Sequence, residues 1–238
     1  CAALLEPDGL DDPVGAAAWA DLSARARHAN PFLGAGMLVP ALRHLAEPGE
    51  VRLLTVGSPG RLDLLLPVAP RRRTRRTPVR ACVGWAHTHH FLGTPLVAPT
   101  LGEQGWRAAL VALRESRDAW FVLPQTDVEV VREVEAAAAS LGLATRRLEE
   151  QARPVTHRHE RDDYAEQQLS GRRRKELRRV RRRLEESLGG GLELVDLAAG
   201  ASPPGLEAAL EEFLALEAAG WKGADGGAIA GRPAERAF

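Results

Sequence analysis

The sequence is poor in cysteine and in long apolar runs. Its two cysteines, Cys1 and Cys82, have no CxxC spacing, which excludes a disulfide framework and favours a reducing compartment. No apolar run approaches the roughly 18 residues of a membrane span. No charged segment followed by an apolar one opens the chain, so we expect no export signal. Together these absences predict a cytoplasmic protein without a membrane span.

The chain also lacks a net charge. Lys+Arg and Asp+Glu both number 32, so nothing steers the whole molecule toward nucleic acid or membranes, and any anion binding has to be local. With 238 residues, 45% of them hydrophobic, the chain can form one large domain or two small ones. It stops within "PAERAF", which is typical of a helix just begun, and we expect a fragment cut at both ends.

Motifs of several catalytic classes are missing. The sequence has no Gly-x-Ser-x-Gly elbow, no HExxH and no Walker string, and "GAGM" (Gly34–Met37) is not a dinucleotide loop. The "HTHH" group has no carboxylate or cysteine at ligand spacing, so we expect polar loop residues and no metal. The histidines considered are His87, His89, His90, His157 and His159.

Hydrophobic periodicity predicts alternating helices and strands over residues 17–157 in the order α-α-β-β-β-α-β-α-β-β. The turn "GSPG" (Gly57–Gly60) separates two β-rich runs and predicts a hairpin. The helices are predicted at Ala17–His28, Leu38–Leu45, Glu103–Arg117 and after Thr126, which forms a capping box with Glu129. The strands are predicted at Val51–Val56, Leu62–Val68, Val79–Trp85, Trp120–Leu123, Ala144–Leu148 and Arg153–His157, with Phe91–Val97 extended.

A strongly basic helix follows, in which nine of the thirteen residues from Gly171 to Arg183 are Arg or Lys. Ser170 is a suitable N-cap. An apolar stripe at spacings of three, four and four predicts that the helix packs against another element; its members are Leu177, Val180, Leu184 and Leu188. The pattern then predicts a strand at Leu192–Leu197, an acidic helix at Pro203–Ala219 and a further helix from Pro233.

Three stretches together resemble the CelD-like, BioF2-type acyltransferases of the GNAT superfamily, and "NPF" (Asn30–Phe32) fits the same pattern. They are "LSGRRRKELRRVRRRLEE" (Leu169–Glu186), "FLALEAAGWKG" (Phe213–Gly223) and "FLGTPLV" (Phe91–Val97). The resemblance implies two GNAT-like lobes, each a mixed, mainly antiparallel sheet flanked by helices. Residues 1–160 would be a degenerate lobe lacking its first strand, and 161–238 the incomplete beginning of a second, catalytic lobe.

The resemblance further implies an acyl-CoA-dependent N- or O-acyltransferase linked to polysaccharide biosynthesis, with a small molecule or glycan precursor as acceptor. GNAT enzymes seat the CoA pyrophosphate on a [Arg/Gln]-x-x-Gly-x-[Gly/Ala] loop that opens a helix. Neither "APTLGEQGWR" (Ala98–Arg107) nor "ESLGGG" (Glu186–Gly191) has this pattern. We therefore expect this chain to be inactive alone, with most of the acyl-CoA (acetyl-CoA) site outside it.

Two groups of residues are candidates for substrate binding. The first is the cationic first turn of the basic helix, where positive charge opposes the helix dipole and an anion would relieve the conflict; it comprises Arg172, Arg173, Arg174 and Lys175. There are two alternatives to an anion site. The cations can form a face that is solvated or paired with the acidic helix, or a face that binds nucleic acid. The second group is Trp221 and Lys222, either closing a helix end or, as the resemblance implies, bordering the acceptor site.

Two other functions stay open. A Fem-type aminoacyl transferase shares tandem GNAT lobes and takes aminoacyl-tRNA, so the basic helix would face RNA. A non-catalytic module would use Arg172–Arg183 on nucleic acid or an acidic partner. Zero net charge and the lack of aromatic residues between the arginines argue against nucleic acid. A second basic run, "RRRTRR" (Arg71–Arg76), is predicted to be a solvated loop.

Overall fold

The computed structural model describes residues 1–58, 60–71, 79–114, 118, 120–155, 160, 163–193, 195–197, 200 and 202–238. The chain divides into two compact units, one formed by Cys1–Arg146 with Leu214–Phe238 and the other by Arg147–Phe213. The predicted lobes, 1–160 and 161–238, stay a prediction. Most of the basic run Arg71–Arg76 lies outside the described residues, as do His157 and His159.

The elements of the described residues alternate along the chain much as the periodicity predicts. The strands are β1 (Ala2–Leu5), β2 (Arg52–Ser58), β3 (Arg61–Arg71), β4 (Ala81–Gly84), β5 (Leu96–Val97) and β6 (Trp120–Val122). The helices are α1 (Pro13–Arg25), α2 (Ala35–His44), α3 (Glu103–Arg114), α4 (Val128–Ser140), α5 (Tyr164–Gln167), α6 (Gly171–Leu188), α7 (Pro203–Ala219), α8 (Trp221–Ala224) and α9 (Pro233–Ala237). None of these helices is both long and apolar enough to cross a membrane.

The strands form one mixed sheet in the order β1-β2-β3-β4-β6, with β5 paired to β3. Only β4 and β6 are parallel, and the other pairs are antiparallel. This confirms the predicted mixed, mainly antiparallel sheet. The expectation that the first strand is missing was wrong, because Ala2–Leu5 pairs with β2 at the edge of the sheet.

Helices cover both faces of the sheet, since successive side chains of a strand point to opposite faces. Leu54, Leu64 and Leu66 face α3 and α4 in one core, to which α3 contributes the buried Trp106. Neighbouring residues such as Leu53 and Leu65 belong to a second core with α1 and α2. The result is a three-layer arrangement with the sheet in the middle.

The β2–β3 hairpin is confirmed, with one irregularity that changes a predicted face. The register shifts between Val56 and Gly57, where an added Cβ at Gly57 would lie 2.2 Å from the Arg61 carbonyl oxygen. The shift reverses the alternation, so Leu62 joins the α1 and α2 core instead of the face that Leu64 occupies. A bulge of this kind needs a residue without a side chain at the close approach.

The caps of two helices differ from the prediction, and in each an aspartate caps the helix. Asp12 caps α1 by accepting hydrogen bonds from the next turn, and Pro13 fits the first helical position, so α1 begins four residues before the predicted Ala17. Asp127, and not Thr126, caps α4 by accepting from the Glu129 amide. Thr126 instead bonds the Pro124 and Gly93 carbonyls.

Three predicted strands do not form among the described residues. Residues 144–148 and 153–155 are irregular, as are the described residues of 192–197, where 194 is not described. Each run has strand-like composition, but a strand also needs a neighbour that supplies hydrogen bonds, and none of the described strands pairs with these residues. The helices predicted at Pro203 and Pro233 are confirmed as α7 and α9.

Candidate functional site

A loop of eleven residues, 85–95, interrupts the sheet at the end of β4. Both β4 and β5 lie along the same edge of β3, where Val68 pairs with Gly84 and Leu65 pairs with Leu96. If β4 continued without a break, Leu65 would pair with residue 87. It pairs with Leu96 instead, nine residues further along the chain, so the residues between β4 and β5 leave the sheet. We call residues 85–95 the histidine loop, since "HTHH" and the start of "FLGTPLV" lie on it.

Asn30 fixes the histidine loop from outside. Its side-chain amide donates to the carbonyl oxygens of Leu92 (2.8 Å) and Thr94 (2.7 Å), and its own oxygen accepts from the Phe32 amide. Asn30 is 4% exposed, so losing these bonds would leave buried polar groups unpaired. The asparagine of "NPF" is thus a structural link between the start of the α2 region and the loop.

The three histidines of the loop are packed together and His90 is buried, which the expectation of polar loop residues did not include. The His87 ring centroid lies 5.6 Å from that of His90 and 6.2 Å from that of His89. Burial lowers the pKa of His87 to about 4, with further lowering from His90 and His89. Burial also lowers the pKa of His90, although its hydrogen bond to the Leu92 carbonyl opposes this.

Phe238 and Glu235 cover the same histidines. The ring of Phe238 stacks on His89 at 5.6 Å and meets His87 edge-on at 5.2 Å. A Glu235 carboxylate oxygen lies 3.4 Å from His89 Nε2, and Arg232 donates to the other oxygen of Glu235. The cluster is therefore covered by side chains of this chain, and its imidazoles face aromatic rings and one carboxylate.

The histidine loop also fills the space beyond the parallel strands β4 and β6. The Gly93 amide donates to the Gln125 carbonyl (3.1 Å), and a Cβ at Gly93 would lie 1.9 Å from the Pro124 oxygen. Gly84 is less crowded, with Pro124 Cδ 3.0 Å from an added Cβ. In open α/β sheets ligands bind in a crevice at the carboxyl ends of parallel strands. Here the chain itself occupies that position.

An open groove of about 940 Å³ lies at the start of α3, the element that follows the histidine loop and β5. Backbone N–H groups at the start of a helix can bind a phosphate, but two carboxylates, Asp63 and Glu103, line this groove with Arg107. A Cβ at Gly105 would lie 2.3 Å from Leu101 Cδ1, so this glycine serves packing. The groove does not suit the pyrophosphate of CoA.

Lys222 is engaged by a carboxylate, not by the helix-end carbonyls that one reading of the sequence predicts. Its ammonium group donates to Glu217 at 2.6 Å, and the other oxygen of Glu217 accepts from the Ile229 amide. These two hydrogen bonds lower the pKa of Glu217, the one from Lys222 most. The neighbouring Trp221 is 74% exposed, so it closes no helix end. A role of Trp221 and Lys222 at an acceptor site stays a prediction.

The four predicted cations occupy the first turn of α6. Ser170 caps this helix, with its hydroxyl accepting from the Arg173 amide at 3.3 Å, as predicted. No acidic residue lies in the first turn, so the conflict with the helix dipole is real. The four cations are Arg172, Arg173, Arg174 and Lys175. They belong to the compact unit 147–213, whereas Trp221 and Lys222 belong to the unit formed by Cys1–Arg146 with Leu214–Phe238. An anion site there stays a prediction.

The expectation that the α6 stripe is buried was wrong. Its four apolar residues are between 43% and 63% exposed, and no residue of α6 is buried. The arginines of its second half pair within the helix, as Arg181 does with Glu185 at 3.0 Å and Arg182 with Glu186 at 3.6 Å. Local i,i+4 pairs of this kind stabilise a helix without any tertiary contact.

Among the described residues, one group brings three possible metal ligands together, namely His28, Asp127 and Glu129. His28 Nε2 lies 3.6 Å from a Glu129 oxygen, and both carboxylates are exposed. Asp127 already caps α4, and a cation at a helix N-terminus would oppose the dipole. An ion pair and a cap account for this arrangement, and the absence of a functional metal stays a prediction.

Sequence reasoning missed an ion pair that joins three elements. Arg27 donates to both carboxylate oxygens of Glu133 on α4, and Trp106 of α3 donates to Glu133 at 2.8 Å. Hydrogen bonding from Arg27, opposed by burial, lowers the pKa of Glu133, and Trp106 adds to the effect. No local pattern signals this pairing, because the residues lie 106 and 27 positions apart.

Comparison with known proteins assigns no family. The sequence matches no protein-family model and no curated protein. Solved structures with a similar arrangement include a probable acetyltransferase, at 12% identity and a TM-score of 0.37. Another is the apo aminoglycoside antibiotic 6'-N-acetyltransferase AAC(6')-IG from Acinetobacter haemolyticus, at 16% identity and a TM-score of 0.34. Each match covers 66% of this chain and 99% of the other. These values are too low to assign an activity.

Proposed function

We propose that this chain belongs to a GNAT-type, acyl-CoA-dependent N- or O-acyltransferase of the CelD-like group, acting on a small molecule or glycan precursor. Two features support the proposal. Three stretches of the sequence resemble that group, and the elements from β1 to α4 follow the order β-α-α-β-β-β-β-α-β-α. With β1 present, this order contains the first strand that the sequence had seemed to lack.

Within this proposal, residues 1–160 form a non-catalytic lobe. The observation that carries this is the histidine loop at the ends of β4 and β6, where Gly93 leaves no room beyond the strands. The groove at α3 lacks the pyrophosphate loop and is lined by Asp63 and Glu103. A carboxylate beside a diphosphate would raise the free energy of the complex through repulsion between like charges. We therefore assign no step of acyl transfer to this lobe.

The remaining residues, 161–238, are proposed to begin the catalytic lobe, on the strength of "FLALEAAGWKG" (Phe213–Gly223). In the acyltransferase that the resemblance implies, an acceptor amine or hydroxyl loses a proton and attacks the thioester carbonyl, while a backbone amide stabilises the oxyanion. We assign neither the base nor the amide to a residue of this chain. A cytoplasmic location is part of the proposal.

The test compares this 238-residue chain with the product of the complete gene. The chain should show neither a thermal shift with acetyl-CoA nor acetyl transfer, whereas the complete product should show both. Turnover should be followed by chromatography of CoA, because the exposed thiol of Cys1 would react with a disulfide reagent. Glu103→Gln in the 238-residue chain is the matched control. It removes a carboxylate from the groove at α3 but leaves the space beyond the ends of β4 and β6 filled, so this variant should also show no acetyl transfer.

Two results would contradict the proposal. Acetyl transfer by the 238-residue chain would overturn the assignment of residues 1–160 as a non-catalytic lobe and 161–238 as an incomplete catalytic one. A complete product that ignores acetyl-CoA but binds RNA would favour the Fem-type alternative or a binding module. In that case the affinity for RNA should fall with added salt, with a log–log slope of about −0.7 for each single-strand phosphate contact.

A further inference from the structure

Helix α6 exposes a contiguous apolar stripe that no described residue of this chain buries. Spacings of three, four and four place its residues within an arc of about 80° of the helix surface. The exposed fractions are 43% for Leu177, 51% for Val180, 46% for Leu184 and 63% for Leu188. Single exposed apolar residues are common, but a contiguous row bordered by polar residues marks an interaction surface.

The charges around this stripe restrict what can cover it. Between Gly171 and Leu188 nine cations stand against three glutamates. Those glutamates already pair within the helix, with Arg179, Arg181 and Arg182. A suitable partner has to offer an apolar row to the stripe and negative charge to the excess of cations on either side of it.

Helix α7 has the complementary surface. It carries four glutamates and no cation, and it also exposes an apolar row. The exposed fractions are 50% for Leu206, 51% for Leu210, 52% for Phe213 and 68% for Leu216. Glu217 is occupied by Lys222 and Ile229, but Glu207 and Glu212 are exposed on the helix surface on either side of the row.

We infer that the apolar rows of α6 and α7 form the interface of a homodimer, in which α6 of one copy packs against α7 of a second copy. A two-fold axis then pairs both helices of each copy with their opposites, which closes the assembly. The apolar rows cover each other, and arginines meet glutamates at the margins. RNA would neutralise α6 but leave its stripe exposed, and an anionic membrane would leave the acidic α7 uncovered. A second copy covers both surfaces at once.

Charge exchange tests this arrangement. The first variant, Arg181→Glu with Arg183→Glu, reverses charge on both sides of the α6 stripe. The second, Glu207→Arg with Glu212→Arg, does the same on α7. Light scattering should find a dimer for the wild type and a dimer dissociation constant raised about tenfold or more for each variant alone, because like charges then face each other. An equimolar mixture of the two variants should form a heterodimer, since each α6 now meets an α7 of opposite charge.

A matched variant controls for the change in net charge. Lys175→Glu with Arg182→Glu also reverses two charges on α6, on the face opposite the stripe, and should dimerise like the wild type. The heterodimer itself shows that both variants fold. A monomeric wild type, variants that still dimerise alone, or a mixture that stays monomeric would each overturn the inference. Sedimentation of the wild type with vesicles containing phosphatidylserine, but not with phosphatidylcholine alone, would also overturn it. So would a dimer of this chain that is absent from the complete gene product, because the rest of the proposed second lobe would then cover these helices.

Discussion

The histidine cluster predicts that acid destabilises this fold through His87. Burial and the neighbouring His90 and His89 lower the His87 pKa from 6.5 to about 4 in the folded state. The folded protein therefore disfavours the charged imidazole, whereas the unfolded chain does not. The stabilisation from a neutral His87 is fully present above the unfolded pKa of 6.5, and it is lost as the pH falls from there toward 4.

The size of the effect follows from the two pKa values. The full difference corresponds to roughly 3 kcal/mol, of which about 2 kcal/mol is lost by pH 5. His87 is only about half buried, so solvent screens the charge, and we take about 1 kcal/mol as the expected loss. In a domain of roughly 150–250 residues this lowers the midpoint of thermal unfolding by about 2–4 °C.

The measurement is thermal unfolding by circular dichroism near pH 7.5 and near pH 5, for the wild type and for His87→Phe. Phenylalanine keeps an aromatic ring against Phe238 but cannot take up a proton. Other groups, His90 among them, titrate in both proteins, so only the difference between their pH-dependent losses reports on His87. The wild type should lose about 2–4 °C more than the variant. Equal losses would refute the argument that His87 is kept neutral by its surroundings.

Three further predictions concern packing and charge. Gly93→Ala should lower the free energy of unfolding by roughly 1–3 kcal/mol, because its Cβ would meet the Pro124 oxygen. Gly36→Ala, on an open surface of α2, should raise the free energy of unfolding by roughly 0.5–1 kcal/mol. Equal effects of the two variants in urea unfolding would contradict this. Trp106→Phe should cost up to about 1.5–3 kcal/mol through the lost hydrogen bond to Glu133, and an unchanged urea midpoint would count against it. Replacing Arg173 and Arg174 together by Ala should leave stability unchanged or raise it by up to ~1 kcal/mol, because both oppose the dipole of α6; a clear loss in urea unfolding would show that they pair with acidic groups.

The central sheet and its helices could be predicted because their residues follow simple periods. The alternation in β3 and the apolar face of α3 place Leu64 and Trp106 in one core, as a period of two and one of 3.6 require. The strand β1 escaped because its four residues show no alternation and sit at the sheet edge. Its pairing with β2, some fifty residues away, is what makes it a strand.

The candidate site was harder to predict because distant residues create it. "HTHH" reads as a polar loop, and what buries His87 and His89 is Phe238, from the far end of the sequence. The α6 stripe reads as buried, since sequence periodicity reports which face is apolar but not whether a neighbour exists. Asn30 gave a hint in "NPF", but its bonds to Leu92 and Thr94 depend on the folded loop.

The break between β4 and β5 divides one edge of β3 into two hydrogen-bonded blocks, of four residues and of two. Such blocks can open separately, since local opening needs only the bonds of one block. The shorter block, Leu96–Val97, can therefore exchange its amide hydrogens without unfolding the longer one. The histidine loop begins and ends on the same edge of β3. Its length can therefore change without changing the register of the sheet, and we expect related chains to differ in length at this loop.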